Sequence, residues 1–297
     1  MDTPLKNRFS VYRLLRPAAL PGADARLRVA SGWRLARREV LAALHSASVY
    51  LMVTLACLVA AVIVKSYLDF VSDSGTLVLA DPLNAPLLLA VLVMTGYLGL
   101  LAAAGLAGER ERGTLELLFY GPVDAPTYVG GKMLGHLITY VLAVATLAVF
   151  LALASFLTGI PLSGRALLLM AASVIPAAAM IALGLLLGAL AGRIRLALAL
   201  TALVSVSFIA VDAGNEIAAS QPGDTLLGSA ASLLSGLAAL IGWISPFSYL
   251  WRAEEAFSLG SAAGALGALG AALLYAALLT GLAVVVLRWR GVQRWRE

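Results

Sequence analysis

Glu109-Arg110-Glu111-Arg112-Gly113-Thr114-Leu115-Glu116-Leu117-Leu118-Phe119-Tyr120-Gly121-Pro122 is the densest charge cluster in a very apolar sequence, and it stands between two apolar runs of membrane-crossing length. The alternating signs of Glu109 to Arg112 suit a solvated helix end at the headgroup boundary. Glu109 with Arg112, and Arg112 with Glu116, have helical spacing for ion pairs of about 0.2–0.5 kcal/mol each. Gly113 lets the chain bend. Thr114 is a candidate N-cap for a new short helix with Glu116 in its first turn. Gly121-Pro122 ends that helix. Asp124 can cap the next one, with Pro126 in its first turn, running through Lys132 into a further span. Between Leu115 and Tyr120 lie five large apolar side chains. They must be covered, either by the bilayer or by a groove in a partner, and the residues alone leave both open.

The surrounding chain decides the fold class. Its 297 residues are 61% hydrophobic and 12% charged, against roughly 25% charged in soluble domains. Apolar residues come in runs of about 20, enough to cross ~30 Å of hydrocarbon at ~1.5 Å per residue. The runs are too long and continuous for barrel strands. The expectation is an all-α polytopic membrane protein with six transmembrane helices at about 45–64, 86–107, 133–157, 166–191, 196–212 and 261–287. Residues 1–23 read as a cytosolic tail without a signal-peptide core. Residues 24–43 mix Leu27, Val29, Trp33 and Leu35 with many arginines, which suits an N-terminal amphipathic helix lying in the interface. A cytosolic helix end running straight into the first span is the alternative. The transmembrane domain then occupies 44–297, with a loop at 108–132 and a non-spanning region at 213–260. Within that region 226–243 reads as a re-entrant or surface helix pair on the outer face.

Charge bias orients these spans. With both termini, the 108–132 loop and the 192–195 turn in the cytosol, 18 of the 21 Lys and Arg are inside, and only Lys65, Arg165 and Arg252 are outside. Acidic residues contribute little to orientation. The net charge of +5 is therefore explained by orientation and anionic headgroups rather than by nucleic acid. The lone Cys57 excludes an intrachain disulfide. Gly184, Gly188 and Gly192 recur at four-residue spacing, which reads as a close helix–helix seam within or between subunits.

Several chemistries are missing. Transporters driven by ion gradients need ionisable groups at membrane depth. None lies inside the spans as drawn, and His45 and His136, near span ends, read as interfacial. No zincin spacing or nucleophile elbow appears. The string nearest a phosphate loop, Gly130-Gly131-Lys132-Met133, lacks the first glycine and the Ser/Thr that would hold magnesium. No cofactor is expected on this chain; power would come from another polypeptide.

The run from Glu109 to Leu118, then Pro122 and Gly131-Lys132, resembles the hallmark of the ABC-2 type transporter permease family. Arg38-Glu39, with Ser48 and Tyr50, is similar to the approach to the first span in its gliding-motility and nitrous-oxide-reductase-maturation branch. The six-span layout and Ser245-Pro246-Phe247 before the last span match as well. Phe119-Tyr120-Gly121 departs from a more polar run, and Asp124 stands where Ser or Thr is usual.

The resemblance implies the membrane-spanning subunit of an ATP-driven transporter, without its own ATPase site, in the plasma or inner membrane. Two permease copies would pair, and separate ATP-binding subunits, holding ATP and magnesium, would dock below. Residues 24–43 would be the elbow helix and 114–120 the coupling helix. Leu117, Leu118 and Phe119 would be buried anchors, with Glu109, Arg110, Glu111 and Arg112 fixing register. Export leads, because 213–260 is too short and apolar for the large outer domain of a mechanotransmitting subunit. An unpowered scaffold or an intramembrane enzyme is the remaining reading. The uncharged spans point weakly to an apolar or amphipathic cargo.

Overall fold

The computed structural model describes residues 23–74, 81–115, 123–219 and 226–292. Among them the chain is entirely helical, in ten helices: α1 (Ala23–Leu44), α2 (Ala47–Ser74), α3 (Asn84–Glu111), α4 (Ala125–Thr158), α5 (Gly164–Ala172), α6 (Val174–Ala191), α7 (Ile194–Ala219), α8 (Leu226–Ile244), α9 (Pro246–Ser258) and α10 (Ala262–Val292). Six segments are long and apolar enough to cross a membrane: α2, α3, α4, α5 with α6, α7 and α10. At 34 residues, α4 is ~51 Å long, so it starts well before the hydrocarbon. Its N-terminus is built as its sequence requires: Asp124 accepts from the Thr127 N–H at 3.1 Å, and a proline lies in the first turn.

The packing centres on α6, which touches α3, α4, α7, α9 and α10. Its contact with α3 is backbone on backbone. A Cβ on Gly184 would lie 2.1 Å from the Gly99 carbonyl oxygen, and one on Gly188 would lie 2.5 Å from that of Ala103. The seam is therefore within the chain. Gly192 does not join it. It ends α6 in the left-handed conformation, φ +69°, which only glycine adopts without strain. A second seam joins α1 to α4, where Gly131 and Gly135 press on Gly32, Leu35, Ala36 and Glu39.

The fourth span is broken at Ser173. Pro176 lacks an N–H and its ring conflicts with the carbonyl four residues back, at Ala172. Ser173 fills the break: its hydroxyl donates to the Met170 carbonyl and accepts from the buried Tyr140 hydroxyl at 2.7 Å. The continuous helix expected over 166–191 is thus two pieces pinned by α4.

Between α7 and α10 the helix pair α8–α9 dips into the bundle. Phe247, at its turn, packs with Met180 and Leu183 of α6, Phe208 of α7 and Leu279 of α10. Met180 lies eleven residues before the end of α6, or ~17 Å along its axis. The turn of the pair is thus buried within the bundle, and 226–244 is one helix of that pair rather than a helix pair in itself.

Gly184→Ala is expected to cost about 1–3 kcal/mol or more by overpacking the α3–α6 seam. Gly130→Ala, in open space within α4, is expected to gain about 0.5–1 kcal/mol. Thermal unfolding of the two variants in detergent checks the contrast.

Candidate functional site

The ends of α3, α6 and the starts of α4 and α7 meet at one end of the bundle, together with α1. Arg38, Glu39, Glu109, Arg110, Glu111 and Lys132 gather there. At their centre is Lys132, one of the largest fully buried side chains at 1% exposed. Its Nζ lies 2.8 Å from Glu39 Oε1 and 3.1 Å from Glu109 Oε1. Arg38 Nη2 donates to the same Glu109 oxygen at 2.7 Å and to Glu39 at 3.2 Å. The Tyr128 hydroxyl donates to Glu109 Oε2, and the Lys132 ammonium lies 5.5 Å from the Tyr128 ring centroid. Two acids and two bases cancel. The knot is neutral, and both oxygens of Glu109 are occupied.

The local sequence explains why these groups meet. Tyr128, Lys132 and His136 recur every four residues along one stripe of α4, beside the Gly131–Gly135 stripe that lets α1 approach closely. Glu39 lies on the α1 face pressed against Gly135. Burial pushes the Glu39 carboxyl up. The Lys132 ammonium, with Arg38, more than reverses this and holds it below the ordinary carboxylate range. A further pair, Arg28 with Asp124 at 3.5 Å, extends the α1–α4 contact toward solvent.

The next two residues of α3 reach other helices. Arg110 Nη1 donates to the Ala189 carbonyl at 2.8 Å. That carbonyl belongs to the last turn of α6, where backbone acceptors lack intrahelical partners and a cation is favoured. A Cβ on Gly192 would meet the same guanidinium at 3.6 Å. Glu111 Oε2 accepts from the Ile194 N–H, the first residue of α7, at 2.9 Å. A carboxylate there satisfies an orphan donor and complements the helix dipole. Three consecutive side chains thus bind three different partners: α1 with α4, the end of α6, and the start of α7.

This changes the expected pairing. Glu109 pairs across 71 residues with Arg38 rather than with Arg112 one turn away. Arg112 is exposed at the rim of a cleft of about 690 Å³ that Arg38, Glu39, Glu109 and Lys132 also line. Gly113 bends the chain with φ +71°. The Thr114 hydroxyl donates to the Glu109 carbonyl at 3.0 Å, so it closes the end of α3. Leu115 is turned inward at 6% exposed. Glu116, Leu117, Leu118, Phe119 and Pro122, with most of the expected coupling helix, lie outside the described residues.

Two expectations at this end need correction. The helix expected from the Asp124 cap through Lys132 is α4, but Lys132, placed in the 108–132 loop ahead of the span, is buried rather than solvated. His136, expected at the interface, is 4% exposed, with an unpartnered Nε2. His45, between α1 and α2, is exposed and bonds the Leu41 carbonyl. The Tyr128-x-x-x-Lys132-x-x-x-His136 spacing beside two glycines was the signal for a buried polar stripe, and a span boundary drawn at the lysine concealed it.

A family model described as ABC-2 type transporter matches residues 31–211. The match covers more than half of the chain and contains Arg38-Glu39, Glu109-Arg110-Glu111, Lys132 and Ile194. No curated protein matches the sequence.

Removing one member of a buried, paired charge set costs about 3–5 kcal/mol, because its partners are left uncompensated. Lys132→Met is expected to lower thermal stability by that order. Lys132→Met combined with Glu39→Gln is expected to recover part of the loss, which a double-mutant cycle in detergent reads directly.

Proposed function

The chain belongs to the ABC-2 type transporter family, and from that premise we propose that it is the membrane half of an ATP-driven exporter, powered through the 109–122 loop. It is a multi-pass membrane protein and a permease component, of a family whose members work with an ATP-binding subunit. In this reading the charged end faces the cytosol of the cell membrane, with both termini on that side. Two copies pair, and ATP and magnesium are held by the partner subunit. The 114–120 segment docks into the ATPase through Leu117, Leu118 and Phe119.

The observation that carries the proposal is the set of bonds made by Glu109, Arg110 and Glu111. A loop that only closed a gap between two spans would need no such bonds. Here the residues leading into the loop grip α1, α4, α6 and α7. A push on the loop is therefore shared by five helices, α3 included. The charged stretch serves transmission within the chain, while the apolar residues after it serve docking.

Docking and transmission separate experimentally. Leu118→Asp is expected to abolish recovery of the ATP-binding subunit with the permease while membrane insertion is retained. Arg110→Ala with Glu111→Ala is expected to leave recovery of the complex intact and to lower transport-coupled ATP hydrolysis by about tenfold or more, if each lost charge-assisted bond is worth ~1.5–3 kcal/mol. Normal complex recovery with Leu118→Asp contradicts the docking role. Unimpaired coupling in the double variant contradicts the transmission role.

A further inference from the structure

At the end of the bundle opposite the charged knot, α8, α9 and the first turns of α10 enclose a second cleft, of about 370 Å³. Arg252 stands in it, half-buried, six residues beyond the buried Pro246 turn. Its guanidinium lies 4.7 Å from the centroid of the Trp243 ring. The Tyr249 hydroxyl donates to the Trp243 backbone carbonyl at 2.6 Å, which ties α9 to the end of α8. Ring stacking orients a guanidinium without using its N–H donors. Among the described residues, no carboxylate or carbonyl takes those donors: the ion pairs at this end are Lys65 with Asp69 and Arg165 with Asp81. An arginine stacked on an aromatic ring, with one terminal nitrogen packed beside Gly242 and N–H donors that no described residue accepts, is a recognition group for an anion.

The rest of the cleft narrows the class. Glu255 also lines it, is exposed, and follows Arg252 by three positions on α9. Such neighbours have Cβ atoms about 5–6 Å apart on one helix face. Yet they do not pair with each other. The two charges instead present separate positive and negative sites on one wall of the cleft, as a headgroup carrying both a phosphate and an ammonium requires. The facing wall is the start of α10, where Gly264, Gly267 and Ala268 leave a smooth surface for a glycerol backbone and the first methylenes of a chain.

We propose that this cleft binds a zwitterionic aminophospholipid headgroup of the phosphoethanolamine type. The phosphate sits on the Arg252 fork, the ammonium on Glu255, and the glyceride along α10. The site lies outside the segment matched to the family. It requires only that α10 be a membrane span, so it stands or falls separately from the coupling role of the 109–122 loop.

The test is native mass spectrometry of the full chain, delipidated in detergent and supplied with phosphatidylethanolamine, phosphatidylglycerol or inorganic phosphate. The wild-type protein is expected to retain phosphatidylethanolamine over phosphatidylglycerol, and inorganic phosphate at equal concentration is expected not to displace it. Arg252→Gln is expected to weaken retention of both lipids by about tenfold or more, and Arg252→Lys by less, because a point charge lacks the fork. Glu255→Gln, a change at an exposed position, is expected to erase the preference while phosphatidylglycerol still binds. Equal retention of the two lipids by the wild type would overturn the proposal. So would displacement by inorganic phosphate, which would leave an anion site only. A preference unmoved by Glu255→Gln would overturn it even if Arg252→Gln failed to fold.

Discussion

A lysine ammonium almost wholly withdrawn from solvent, within 3.1 Å of two carboxylates, is the constraint on which the charged end of this protein depends. Removing such a group from water costs several kcal/mol, and the cost is offset only if every partner is placed and bonded. Glu39 must therefore be on α1, Glu109 on the end of α3, and α1 must lie close enough to α4 to reach Lys132. The Gly131–Gly135 seam supplies that closeness. Arg38 and the Tyr128 hydroxyl take up the remaining acceptor capacity. Misplacing any of these elements leaves a charge buried without its partner, so the knot specifies one arrangement of three helices.

The knot also gives the end of α3 its mechanical character. Glu109 ties it to α1 and α4, Arg110 to the carbonyl end of α6, and Glu111 to the amide end of α7. The last two bonds use what helices offer at their termini, unpaired acceptors at one end and unpaired donors at the other. Midway along the bundle α6 is also held to α3, by backbone contact at Gly184 and Gly188. There α6 supports the buried Phe247 turn, and beyond it the span is broken at Ser173, between α5 and α6. Contacts thus run from the end of α3 to the far-end helices, close-packed at the seam and interrupted at Ser173.

Much of this is legible in the sequence. Run lengths set six spans, Asp124 declared a cap, Gly113 a bend, and Gly184 with Gly188 a seam. What was not legible has physical reasons. A span boundary drawn at the first charge assumes that charges are solvated, and Lys132 is not. Gly192 shares the four-residue spacing of the seam glycines, but a helix end lies between them, and spacing does not reveal φ. The partners of Glu109 and Lys132 are 71 and 93 residues away, and periodicity carries no information over that range, although Arg38-Glu39 and Gly131-Lys132 stood out individually. The stretch 226–243 has the length of a span. Only the basic C-terminus argued against a crossing, and run length does not reveal that the chain turns at Ser245-Pro246 and buries Phe247 against α6, α7 and α10.

The central claim is that the charged ends of α1, α3, α4, α6 and α7 move as one body. Distances between spin labels at exposed Arg34, Arg112 and Arg195 test it most directly, measured by pulsed electron resonance on the complex with its ATP-binding subunit, with and without nucleotide. One body requires that the three distances within a chain stay the same while each changes relative to a label on the loop between α9 and α10. If nucleotide instead changes the distances among the three, the helix ends move independently, and the bonds of Glu109, Arg110 and Glu111 do not transmit the push.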